Sequence, residues 1–128
     1  MSVQLNHTIV AARDKQAAAG FLATILGLEV SAQYGPFLPV ETSNGVLLDF
    51  MDSNEDPIPS QHYAFLVSED DFDAILARIQ RAGITYYADP GHHRSAQINH
   101  LDGGRGAYFE DPNGHNLEIL TRPYGSGG

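Results

Sequence analysis

The sequence predicts an α+β fold built from two β-α-β-β-β modules. Three observations lead there. The same order of apolar strand, amphipathic helix and short extended pieces occurs twice, each pass about 50–60 residues long. A polar, proline-containing stretch, "DSNEDPIPS" (52–60), separates the passes and is unsuited to helix or central strand. Neither half has the long Val/Ile runs of a buried parallel sheet, so two mixed sheets are expected, each with a helix on its outer face.

Module one spans 3–51. "LNHTIVAA" (5–12) is β-branched and apolar, a strand. Ala18, Phe21, Leu22 and Ile25 then recur at the i, i+3, i+4, i+7 spacing of a helix face, with Asp14 as N-cap and Gly27 as terminator. "LEVSAQY", "FLPVET" and "GVLLDFM" follow as extended pieces, broken at Gly35-Pro36 and Asn44-Gly45. Module two spans 61–122. "QHYAFLV" is a strand, and Ser68 with Asp71 resembles a capping box. Phe72, Ile75, Leu76 and Ile79 give the helix face, Gly83 its end, and "ITYYA" the next strand. The polar segment from Asp89 to Arg105 is long for a loop in a small domain, a length typical of functional or disordered segments. "AYFE" and "HNLEIL" close as a hairpin across Asp111-Pro112-Asn113-Gly114. Residues 123–128 read as a flexible tail.

The bulk numbers bound the function. The 128 residues suit one domain. Apolar residues make up 42% and charged residues 18%, ordinary for a globular protein. A net charge of −9 opposes binding to phosphate backbones, so nucleic acid is not an expected partner. No apolar run reaches the ~20 residues of a membrane span, and no signal-peptide pattern opens the chain, so a cytoplasmic protein without a membrane partner is expected. The absence of cysteine removes disulfides, thiolate metal sites and cysteine nucleophiles, and leaves six histidines as the main ligand candidates.

Superposing the two passes sharpens this. "LNHTIV" over "SQHYAF" places His7 on His62; "NGVLLDF" over "NGHNLEI" places Asp49 on Glu118. Each copy therefore carries a His and an acid at equivalent positions, and a pseudo-twofold axis would let the four converge. His7 shares its face with Leu5 and Ile9, and His62 with Ala64 and Leu66, so both faces are expected to be buried. A buried carboxylate costs several kcal/mol unless paired or metal-bound, and histidines with carboxylates suit Zn²⁺, Fe²⁺, Mn²⁺, Ni²⁺ or Co²⁺.

"YFEDPNGHNLEIL", "LNHTIV", "FLATILGLEV" and "QHYAFLV" together resemble the vicinal oxygen chelate superfamily, the glyoxalase/bleomycin-resistance/dioxygenase group, over residues 3–122. The resemblance implies paired modules forming an open, barrel-like cleft around one divalent metal ion per site, with His7, His62 and Glu118 as ligands. Asp49 matches the position of a fourth ligand and catalytic base in the glyoxalase I branch, but is one methylene shorter. The implied activity is metal-dependent lyase, isomerase or dioxygenase chemistry on a small substrate that chelates the metal through neighbouring oxygens. The alternative is a metal-free, bleomycin-resistance-like protein that sequesters an antibiotic. A homodimer is implied, with each metal site either held within one chain or shared between chains. His100, Arg105 and Tyr108 are candidates for substrate contact, with Asn99 beside them. His115, just after the turn glycine, is expected at the surface.

Overall fold

The computed structural model describes residues 2–127. The chain divides into two compact units with the boundary after Pro59, inside the expected linker. It is a mixed α+β protein with one small sheet per unit.

The first unit holds β1 (His7–Ala12), α1 (Lys15–Leu26), β2 (Leu38–Glu41) and β3 (Leu47–Asp52). Asp14 caps α1, its carboxylate accepting from the backbone N–H groups of Gln16 and Ala17, as its place before the apolar stripe suggests. The sheet order is β1-β3-β2, with β1 parallel and β2 antiparallel to β3. Of "LEVSAQY" only single bridges remain, Val30 to Val40 and Tyr34 to Phe37. Val10, Ala12, Val40, Leu48 and Phe50 are buried on one face of the sheet, together with Ala18, Ala19, Leu22, Ala23 and Ile25 of α1.

The second unit repeats the plan with β4 (His62–Leu66), α2 (Glu69–Arg81), β5 (Tyr86–Tyr87), β6 (Gly106–Glu110) and β7 (Asn116–Leu120). Ser68 Oγ accepts from Asp71 N–H at 3.1 Å, so the expected capping residue starts α2. The order is β4-β7-β6-β5; β4 lies parallel to β7, and β6 antiparallel to it. Phe72, Ile75 and Ile79 of α2 are buried, as are Ala107, Phe109, Leu117 and Ile119, which share one face of the sheet.

The repeat is accurate to the residue. His7 pairs with Leu47 and Ile9 with Asp49; His62 pairs with Asn116 and Ala64 with Glu118. In both units the acid sits two residues beyond the partner of the histidine, on the same face of the sheet. Burial of that face differs from expectation. His7 and His62 are exposed, as are Leu5, Ile9 and Leu66, the last at 61%. The opposite face carries most of the buried apolar residues of each sheet, whereas on this face the two histidines and their apolar neighbours stand exposed.

Candidate metal centre

Glu118 lies on β7, the second strand of four, between β4 and β6. It is 1% exposed. The DPNG turn sets its register. Asp111 accepts hydrogen bonds from the N–H groups of Asn113 and His115 and from the Asn113 side-chain amide, while Gly114 takes φ 88°, a left-handed conformation suited to glycine. A slip of one residue would turn Glu118 to the helix side.

His62 reaches Glu118 from the neighbouring strand. Its Nε2 lies 3.0 Å from Glu118 Oε1, and its Nδ1–H donates to the Asn116 carbonyl at 2.9 Å. A carbonyl oxygen can only accept, so the second contact fixes the proton on Nδ1. In a neutral imidazole, Nε2 then presents a lone pair to a carboxylate oxygen. Two acceptors at this distance need a proton or a cation between them. A histidine that donates one ring N–H to a backbone carbonyl and aims the other nitrogen beside a carboxylate is the usual metal-ligand arrangement. Donors each ~2.1 Å from a shared ion lie about 3 Å apart when at right angles. The pair therefore fits a divalent metal ion. Among the described residues, no group of three or more His, Asp or Glu side chains is gathered closely enough to hold a metal ion.

Glu118 Oε2 accepts from the Tyr124 hydroxyl. That hydroxyl lies 2.9 Å from the Tyr108 hydroxyl. Its own proton is directed to Glu118, so Tyr108 donates to Tyr124 in turn. Tyr108 is opposite Glu118 in register and stacks on His62, with ring centroids 6.0 Å apart. Burial pushes the pKa of both phenols above the usual range, with the Glu118 charge adding to the shift, so both remain protonated donors at neutral pH. Tyr124 is a member the sequence did not single out; it sits in the stretch read as a tail.

A second layer continues from β7. His92 donates from Nε2 to Asn116 Oδ1 at 2.9 Å and stacks on Tyr87 at 4.2 Å. It does so at φ 61°, uncommon for a residue with a Cβ. His93 turns outward to Asp89, whose carboxyl is held below its ordinary range by the backbone N–H groups of Arg94 and His93 against the opposing effect of burial.

The remaining candidates are placed as follows. Asp49 is half-buried in β3, opposite Ile9 and Pro39. His7 is exposed, its Nδ1 2.8 Å from Asn6 Oδ1. His100 is exposed, just before a single 3₁₀ turn at Leu101–Gly103. Arg105 is engaged with α2: Nε donates to Glu69 Oε1 and Nη1 to Asp73 Oδ1, both at 2.7 Å, and the guanidinium lies over the Phe72 ring. Those carboxylates raise its already high pKa. Asn99 pairs with Gly106 and donates to the Ala88 carbonyl, closing the loop base. His115 differs from expectation. It is fully buried, and its Nδ1 accepts from Gln61 N–H at 3.0 Å, tying the turn to β4.

Comparison with known proteins identifies relatives of the chain as a whole. The solved structure of oxidase ChaP-H2 is 75% identical with a TM-score of 0.97, covering 100% of both chains. Oxidase ChaP-H1 is 55% identical with a TM-score of 0.94, covering 98% of this chain and 100% of that one. The glutathione transferase FosA of Serratia marcescens is 29% identical over 124 residues, 93% of this chain and 81% of the transferase. The family model for the Glyoxalase/Bleomycin resistance protein/Dioxygenase superfamily matches residues 4–119, and the chain belongs to that superfamily.

Proposed function

We propose that the protein is a divalent-metal-dependent oxidase or oxygenase acting on a small molecule with two neighbouring oxygens. The observation that carries it is the His62–Glu118 pair, a buried carboxylate facing a histidine nitrogen whose other nitrogen is fixed by a carbonyl. High identity to proteins named oxidases supports oxygen chemistry over the transfer chemistry of the more distant FosA.

His62 and Glu118 would hold the ion, with His7 as third ligand. Two histidines and one carboxylate, with positions left open, favour Fe²⁺ for oxygen chemistry, although Zn²⁺, Mn²⁺, Ni²⁺ and Co²⁺ suit the same donors. A bound ion would act as a Lewis acid on neighbouring substrate oxygens. Around it, Asn116 keeps His62 in one tautomer and Tyr108 stacks on its ring. Asp49, short for direct ligation, would act as a base or through water, and His100 would face substrate from the long loop. The exposed apolar residues beside the histidines, Leu5, Ile9 and Leu66, support a homodimer in which a second copy covers this face and shares the site. No helix among the described residues is long and apolar enough to cross a membrane.

The test is metal analysis after anaerobic purification, followed by oxygen uptake with compounds bearing neighbouring hydroxyl or carbonyl groups. Metal-dependent uptake that His62→Ala abolishes is expected. A His62→Ala protein with full metal content and activity would refute the proposal. Metal-free protein that tightly binds a natural product without turnover would favour sequestration instead.

A further inference from the structure

The segment after β7 is tied down along its length. Asp102 accepts from the backbone N–H groups of Gly125 at 3.1 Å and Gly127 at 3.3 Å, and Arg122 Nη2 donates to the Gly127 carbonyl at 2.9 Å. Asp102 does this at φ 55°, in the left-handed region that residues with a Cβ adopt far less readily than glycine. Gly104, next along, packs against the root of the segment. A Cβ there would lie 2.7 Å from Thr121 Oγ1 and 2.9 Å from Arg122 Cγ. A strained acid and a close approach that suits glycine thus hold one face of the 101–105 loop against residues 121–127. Tyr124, between the anchors, is 52% exposed, yet its hydroxyl reaches the fully buried Glu118.

We infer that Tyr124 is a positioning residue for Glu118, delivered by a C-terminal strap that Asp102 pins. Its hydroxyl occupies Oε2 and so directs Oε1 to His62 Nε2. A glutamate has several rotatable bonds, and ordering such a side chain costs conformational entropy. A donor on one oxygen fixes the last of those rotations before any ion arrives, so less ordering is left to binding. Tyr108 donates to Tyr124 and fixes that hydroxyl's direction in turn. The inference rests on the reading of His62 and Glu118 as metal ligands.

The experiment measures Co²⁺ affinity by chelator competition in the full chain. Tyr124→Phe keeps the ring and loses the hydroxyl. It should bind Co²⁺ about 10–100-fold more weakly, the range for loss of a ligand's hydrogen-bond partner. Asp102→Ala should weaken binding in the same direction but less. The double variant should be no worse than Tyr124→Phe alone, because both act through one hydroxyl. A Co²⁺ affinity and visible absorption spectrum like wild type in Tyr124→Phe would overturn the inference, whatever happens to thermal stability. If wild type takes up no metal, the ligand reading fails, and the positioning claim is then decided in the metal-free protein. The ¹³Cδ resonance of Glu118, assigned through Glu118→Gln, should shift in Tyr124→Phe; an unmoved resonance overturns it.

Discussion

Glu118 shows what one carboxylate demands of its surroundings. It is fully buried, with a tyrosine hydroxyl donating to one oxygen and the His62 Nε2 lone pair facing the other. The sequence exposed half of this arrangement. The repeat singled out His62 and Glu118 because both recur at matched positions. Tyr124 left no such signal, since it has no counterpart in the first module and stands among glycines. His115 departs from the local pattern for a related reason: a histidine after a turn glycine is usually at the surface, but here the Gln61 N–H just before β4 donates to its ring, and pairing across 54 residues is invisible to local pattern. His115→Ala should therefore destabilise the fold by about 2–4 kcal/mol through a cavity and an orphaned Gln61 N–H. Urea unfolding checks this, and a loss below about 0.5 kcal/mol, the usual size for a surface site, would contradict it.

At the scale of elements, capping and turn chemistry were legible because they are local. Asp14, Ser68 and the DPNG turn all act as their residue types dictate. Strand extents were less so: "ITYYA" pairs only at Tyr86–Tyr87, and "LEVSAQY" contributes bridges, because edge strands depend on their neighbours. Asp111→Ala removes the acceptor for three donors of the turn. It should cost about 1–3 kcal/mol and also weaken metal binding, since the same turn aims Glu118. Chemical denaturation and metal competition on one preparation test both effects. The Arg105 clasp gives a pH signature. Glu69 is held below its ordinary value of 4.5 by hydrogen bonds from Thr121 and Arg105. A lowered folded pKa contributes stability that is full above 4.5 and is lost as pH falls through the lower folded value. The stability difference between wild type and Glu69→Gln should thus hold steady at neutral pH and shrink below 4.5; a difference that grows on acidification would contradict the clasp.

At the scale of the whole molecule, the duplication was the most legible feature of the sequence, and the identical register of the two units accounts for why. Superposing strands needs only period-two alternation and matched turns, both written locally. The open face was not legible, because alternation says which residues share a side but not what covers it. If a second copy covers it, mixing His7→Ala chains with Glu118→Gln chains should restore metal to about a quarter of the sites, since half the dimers are mixed and each then has one intact site. Restoration of none would place each set of ligands within one chain.

Metal analysis of the anaerobically purified protein, alongside His62→Ala and Glu118→Gln, bears most directly on the metal centre. One divalent ion per His62–Glu118 pair in wild type, lost from both variants while their circular dichroism stays unchanged, is the expected result. Variants that retain a full complement of metal would contradict it.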